Sequence, residues 1–254
     1  MRIARIATVA GPRHVVADGP DWVEIDDPYV DSVRDGMPVT GRRHPAAEAH
    51  LLAPTQPLVV LGMAHNGAPG DRELPRQAFL KSPRTVIGPG ESMVVDDELG
   101  RVNVECELAV VIRRHCRHLT AAQVPGAILG YTVGNDVTAI DQIPLDEKMT
   151  QSKNGDGFTP LGPWIETSLD PGDVAMTVRV NGAVVAESTT ARLAWDITEQ
   201  LVYLTRYLTL GPGDVVLTGA PGTFAPVKPG DVAEVSLAGI GPLANPVVSK
   251  GSVR

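Results

Sequence analysis

The sequence predicts a mixed α/β fold, mainly β, with a small β-rich N-terminal segment followed by one larger unit. Glycine and proline are abundant, 26 and 22 of 254 residues, so turns are frequent and strands are short. The punctuation Pro-Gly-Asp-Val occurs at Pro171–Val174, Pro212–Val215 and Pro229–Val232, each time feeding a β-branched run, so these aspartates are read as turn formers. A single strong helical repeat stands out, residues 191–208, where Leu193, Ile197, Leu201, Leu204 and Leu208 share a face.

In chain order, Arg2–Val9, His14–Ala17 and Trp22–Ile25 are short apolar runs separated by Gly11-Pro12 and Asp18-Gly19-Pro20. Pro54 and Pro57 mark a boundary that divides residues 1–54 from 55–254, and Leu58–Leu61 opens a buried strand. Gly62–Leu74 follows as a Gly/Pro/Asn-rich loop, either a polar surface loop or a mobile lid with His65 as its proton-transfer residue and Glu73 beside it. Ala78–Leu80 ends in Lys81, and Val102–Ile112 is the clearest strand. Thr120–Gln123 opens a short helix that Pro125-Gly126 stops, and Ala127–Val133 is a second buried strand with Asp136 just past its end. Residues 146–164 read as loop and contain Lys153. Asn181-Gly182 joins Met176–Val180 to Ala183–Glu187 in a hairpin, and Gly219–Gly222 is a turn directly after a buried strand.

Several function classes are excluded. The net charge is −8 with no dense Lys/Arg cluster, which argues against nucleic acid as a partner. No run approaches the roughly 18 apolar residues of a membrane span, and the first residues lack a signal core, so a cytoplasmic protein is expected. The 2 cysteines offer no disulfide framework. Arg113–His118 has the wrong spacing and too much positive charge for zinc and is read as a solvated turn.

Chemistry concentrates on Glu105 and Glu107. Alternation on the strand Val102–Ile112 sends Val102, Val104, Cys106, Leu108 and Val110 to one face and the two glutamates to the other. Two half-buried carboxylates on one face repel and need a positive partner, for which a hard divalent cation with oxygen ligands is suited. The alternative is an edge whose glutamates point into water.

The segments Glu105-x-Glu107, Gly130-Tyr131-Thr132, Asn135-Asp136-Val137-Thr138-Ala139, Lys153-x-x-Asp156-x-Phe158-x-Pro160-x-Gly162-Pro163, Asn181-Gly182, Leu210-x-Pro212-Gly213-Asp214-Val215 and Thr218-Gly219-x-Pro221 together resemble the fumarylacetoacetate hydrolase superfamily. The resemblance implies a mixed β-roll domain after a small N-terminal domain, a homodimer, and a cytoplasmic enzyme of 2-oxo acid metabolism. It assigns Glu105, Glu107 and Asp136 to Mg²⁺ or Mn²⁺ (with Ca²⁺ as a further ion in vitro), and Lys153 and Lys81 to catalysis; His65 joins them from the lid reading, with a packing residue in place of the family's tyrosine as the alternative. It assigns Gln142, Thr218 and Gly219 to a small oxo-acid substrate.

The implied activity is metal-dependent hydrolysis of a C–C bond in a 2-oxo or 1,3-dicarbonyl acid of acylpyruvate type. Oxaloacetate-type decarboxylation or tautomerisation, 2-oxo-dienoate isomerisation or hydration, and a non-catalytic ligand-binding role are the alternatives. The sequence departs from the family at the lid, where only His65 and Glu73 remain at altered spacing, at Ile140 in place of an arginine, and at Ala220 in place of a threonine.

Overall fold

The computed structural model describes residues 1–29 and 39–252; residues 30–38 and 253–254, part of the two predicted units, lie outside the described residues. Among the described residues, strand pairing builds a 14-stranded and a 5-stranded sheet. The large one runs through Val39–Pro45, Asp21–Ile25, Arg13–Asp18, Arg2–Ile6, Thr159–Glu166, Ile128–Asn135, Val102–Ile112, Val215–Leu217, Val60–Ala64 and Gln77–Lys81. The N-terminal meander is therefore hydrogen-bonded into the same sheet as the glutamate strand, with Arg2 opposite Glu166 and Ile3 opposite Ile165. The smaller sheet orders Ala183–Thr189, Ala175–Val180, Val232–Leu237, Gly241–Ser249 and Met93–Val95.

Alternation along Val102–Ile112 explains how the sheets meet. Val102, Val104, Cys106 and Leu108 are sealed against Met176, Val178, Val235 and Leu237 of the smaller sheet. Val110 and Ile112, further along, pack instead on Leu201 and Leu204 of the one long helix. Burying each such Val or Leu side chain contributes about 1.5–3 kcal/mol before chain entropy is counted. On the other face, Ala109 packs with Val60, Leu161 and Leu217, leaving the preceding glutamates at the edge of an apolar layer.

Four local expectations are corrected. The helix spans Ile197–Tyr207 rather than 191–208, because Asp196 accepts from the Glu199 amide at 2.8 Å and caps it there, while Thr190–Arg192 forms a separate 3-10 turn and Leu193 precedes the cap. Pro125-Gly126 does not stop the short helix: a 3-10 turn Ala121–Gln123 continues into an α turn Val124–Ala127, with proline at a first-turn position where its missing N–H costs nothing. Residues Thr159–Glu166 form a strand despite two prolines: Pro160 stands opposite Ile87 in a parallel pairing, and Pro163 falls where the register against Ile128–Asn135 shifts. The Arg113–His118 turn is also less solvated than expected, since Arg113 and Cys116 are buried and Cys116 bridges to Leu210. Asn181-Gly182 does form the hairpin turn, both residues having positive φ (52° and 82°) and Val180 standing opposite Ala183.

In the meander, His14 packs edge-on against Tyr29 with ring centroids 6.2 Å apart. Burial, helped by the Arg5 charge, lowers its pKa to about 4. The unfolded chain, titrating near 6.5, then binds more protons than the fold between these values, so stability is complete above pH 6.5 and is lost as pH falls toward 4. Discounting for partial exposure, urea unfolding at pH 7 and pH 4.5 should show wild type losing about 2 kcal/mol more than His14→Gln. Equal losses in the two proteins would remove His14 from the acid response.

Candidate metal and catalytic site

Strand register brings the carboxylates together. Val102–Ile112 and Ile128–Asn135 pair antiparallel with Cys106 opposite Asn135 and Glu107 opposite Gly134, and Asn103 pairs with Thr138 beyond the break. Asp136 lies in that break, its amide donating to the Glu105 carbonyl at 2.9 Å, while the Asn135 side chain accepts from the Glu105 amide at 3.0 Å. One oxygen from each of Glu105, Glu107 and Asp136 lies within 4.8 Å of the others.

Two lysines enter from different elements. Lys81 ends the strand Gln77–Lys81 and is 1% exposed; its Nζ donates to Asp136 Oδ1 at 2.5 Å and to the Phe158 carbonyl at 2.7 Å. Lys153 ends a one-turn helix, Thr150–Lys153; its Nζ donates to Asp136 Oδ2 and to Thr138 Oγ1, both at 2.6 Å, and to Glu105 Oε2 at 3.4 Å. The Phe79 ring lies 4.7 Å from the same ammonium, wedged so closely over Gly62 that a Cβ there would stand 2.2 Å from the ring. Gly219 closes the site with its amide, which donates to Glu107 Oε2 at 2.7 Å.

The electrostatics are unbalanced. Burial pushes Glu107 well up, reinforced by Asp136 and Glu105, and burial raises Glu105 as well. Burial also penalises the Asp136 anion, but the Lys153 and Lys81 charges outweigh it and hold that carboxyl low. Burial lowers Lys81. For Lys153 burial is overcome by Asp136 and Glu105, so it is held firmly as an ammonium. Three carboxylates against two ammonium groups leave one negative charge in a buried space when all five ionise. The donor set is all oxygen, and its spacing suits ligand oxygens each about 2.0–2.6 Å from a Mg²⁺-, Mn²⁺- or Ca²⁺-sized ion. These three residues fit a divalent cation.

The remaining predicted residues stand as follows. His65 is exposed, with φ of 54°, and hydrogen-bonds none of the five cluster residues. Gly62–Ala64 belong to the strand Val60–Ala64, so the loop begins only at His65. Thr218 is fully buried with its hydroxyl on the Leu108 carbonyl, and Gln142 donates to the Glu98 and Leu99 carbonyls at 3.3 Å each. Sequence reading gave no role to Thr138, although it lies in the same run as Asp136, or to Phe79, for which no sequence signal exists.

The comparisons with known proteins identify the family. The family model described as Fumarylacetoacetate (FAA) hydrolase C-terminal matches residues 49–248, and one described as Rv2993c-like, N-terminal matches residues 1–54. The chain belongs to the fumarylacetoacetate hydrolase family. It is 38% identical over 267 residues to Protein Rv2993c of Mycobacterium tuberculosis, covering 99% of both chains. It is 40% identical to a 5-carboxymethyl-2-hydroxymuconate delta-isomerase from Mycobacterium smegmatis, with a TM-score of 0.91 over 98% of this chain and 100% of that one. It is 26% identical to a maleylpyruvate hydrolase from Sphingobium sp. SYK-6 solved with manganese (II) ion and pyruvate, with a TM-score of 0.80 over 98% and 99% of the chains. Among the described residues no helix is long and apolar enough to cross a membrane.

Proposed function

We propose that the protein is a divalent-metal-dependent isomerase or tautomerase of a small 2-oxo acid, with Mg²⁺ or Mn²⁺ held by Glu105, Glu107 and Asp136. The observation that carries this reading is the five-residue cluster, in which Lys81 and Lys153 clamp Asp136 beside two glutamates whose ionised forms burial disfavours. The cation supplies Lewis-acid stabilisation of negative charge on the substrate's carbonyl oxygen. Lys153 does the rest of the electrostatic work. Its 3.4 Å contact to Glu105 is the weakest of its three, so that N–H is the donor a substrate oxygen can take over. With Asp136 and Glu105 beside it, the Lys153 ammonium stabilises charge that develops on the substrate oxygen. Lys81, sealed behind Asp136, fixes that carboxylate's orientation. The Phe79 ring excludes water from one side of the Lys153 ammonium.

In a proton shift between carbon and oxygen of a 2-oxo acid, the carbon-bound proton passes to solvent water and the oxygen takes one back, while the site stabilises the charge that develops on that oxygen. Hydrolysing a C–C bond also needs a base on water, and the exposed His65 hydrogen-bonds nothing in the cluster. The likeness to the M. smegmatis isomerase favours the same reading. Hydrolysis is the second reading, favoured by the likeness to the maleylpyruvate hydrolase.

Metal-stripped protein reloaded with Mn²⁺ or Mg²⁺ should be assayed for keto–enol exchange of oxaloacetate and double-bond shift in 2-hydroxy-2,4-dienoates. Acylpyruvate cleavage and oxaloacetate decarboxylation should be followed beside them. Metal-dependent proton shift with the highest kcat/KM supports the proposal. Faster acylpyruvate cleavage establishes the hydrolase instead, and no turnover of any substrate would leave the non-catalytic reading.

A further inference from the structure

Asn66 lies outside the cluster, yet it is 1% exposed and makes three hydrogen bonds across the chain. Its Oδ1 accepts from the Trp195 amide at 2.6 Å, and its Nδ2 donates to the Trp195 carbonyl at 3.2 Å and to the Thr218 carbonyl at 2.6 Å. The last contact is the consequential one. The Thr218 carbonyl and the Gly219 N–H belong to one peptide unit, and a trans amide points these two groups in opposite directions. Asn66 pulls on the oxygen end while the N–H end donates to Glu107 Oε2 at 2.7 Å. A donor on the carbonyl also polarises the amide and strengthens its N–H as a donor.

The fit is close enough to be specific. Gly219 has φ of +110°, and a Cβ there would stand 2.5 Å from the Asn66 carbonyl oxygen and 2.9 Å from the Asn66 Cβ. Gln200, also 1% exposed, supports the arrangement by donating to the Trp195 carbonyl at 2.8 Å and, more weakly, to the Thr218 carbonyl at 3.4 Å. Trp195 is covered in turn by Arg72 and Arg76, whose guanidinium carbons lie 4.6 and 3.9 Å from its ring centroid, and both arginines pair with Glu199 at the helix start.

We propose that Asn66 is a positioning residue that aims the Thr218–Gly219 peptide at Glu107, so that the loop following the strand Val60–Ala64 sets the orientation of a metal-binding carboxylate. The proposal rests on the metal reading above. Partners that orient metal ligands typically change affinity 10–100-fold when lost.

The test uses the full-length protein and two readings without substrate: Mn²⁺ affinity by calorimetry, and the Gly219 amide proton resonance in the metal-free protein. Asn66→Asp keeps the acceptor for the Trp195 amide and loses the donor to Thr218. It should weaken Mn²⁺ binding about tenfold or more and move the Gly219 amide upfield, with Gln200→Met producing a smaller change in both. A lowered melting temperature with both readings at wild-type values would make Asn66 a structural residue only and overturn the proposal. Should Asn66→Asp fail to fold, Asn66→Ser, which also removes the amide donor, is read by the same criteria. If wild type itself binds no Mn²⁺, the metal reading fails, and the Gly219 resonance alone decides whether Asn66 positions the peptide.

Discussion

Asp136→Asn is expected to cost about 3–5 kcal/mol of folding stability and to abolish Mn²⁺ binding in the same protein. Asp136 is the anion that two buried ammonium groups share, and the Lys81 and Lys153 side chains are only 0% and 6% exposed. An asparagine could accept from one lysine with its oxygen, but its amide nitrogen would present donors to the other. Lys153 would keep Glu105, but Lys81 would be left with carbonyl acceptors and no anion, and a buried cation without its counter-charge is far more costly than the intact pair is favourable. Lys81, already lowered by burial, would be the first to give up its proton. Urea unfolding gives the stability change and calorimetry the affinity. A variant with wild-type midpoint and wild-type Mn²⁺ affinity would show that Asp136 neither anchors the lysines nor binds the ion.

Period-two alternation reached deep into this site. It separated Glu105 and Glu107 from the sealed face of Val102, Val104, Cys106 and Leu108, because side-chain direction on a strand follows from residue number alone. Asp136 joined them only through the family resemblance, since the strand predicted at Ala127–Val133 set it just past a strand end without saying which strand lies alongside. The short distances were not legible. Lys81 and Lys153 are 72 residues apart in number, and each read alone as an ordinary strand-end or loop lysine. Whether they meet depends on which strands become neighbours, information spread over the whole sheet order.

His65 was harder to read than the strand. Its residue type suits proton transfer and its loop suits a lid, but a left-handed backbone at φ of 54° accompanies an outward-facing side chain, and the next residue, Asn66, is the buried one. Asparagine in a Gly/Pro-rich stretch carries the statistics of a turn, so nothing in the local pattern marks one that reaches Thr218, 152 residues away. One strand was missed for a similar reason: Thr159–Glu166 holds two prolines, Pro160 opposite Ile87 in a parallel pairing and Pro163 where the register with Ile128–Asn135 shifts.

Lys153→Met should reduce turnover at least tenfold while leaving Mn²⁺ affinity undiminished. Asp136 keeps Lys81, and Glu105, which loses its ammonium partner, is met by the bound cation; the substitution removes the second ammonium and the partner of Thr138, at a cost of about 1–3 kcal/mol. Taking a like charge away from beside a bound cation cannot weaken that cation electrostatically, and Glu105 is freed from its 3.4 Å contact. Turnover falls because the ammonium adds stabilisation where charge develops on the substrate oxygen, and one such charged contact is worth on the order of 1.4 kcal/mol or more, a factor of ten or greater in rate. Methionine preserves most of the stem's volume against Phe79, so packing is little changed. Because the lost contact strengthens as charge develops, kcat should fall more than KM rises. Weaker Mn²⁺ binding with unchanged kcat would place Lys153 in holding the ion site together, with no part in the chemical step.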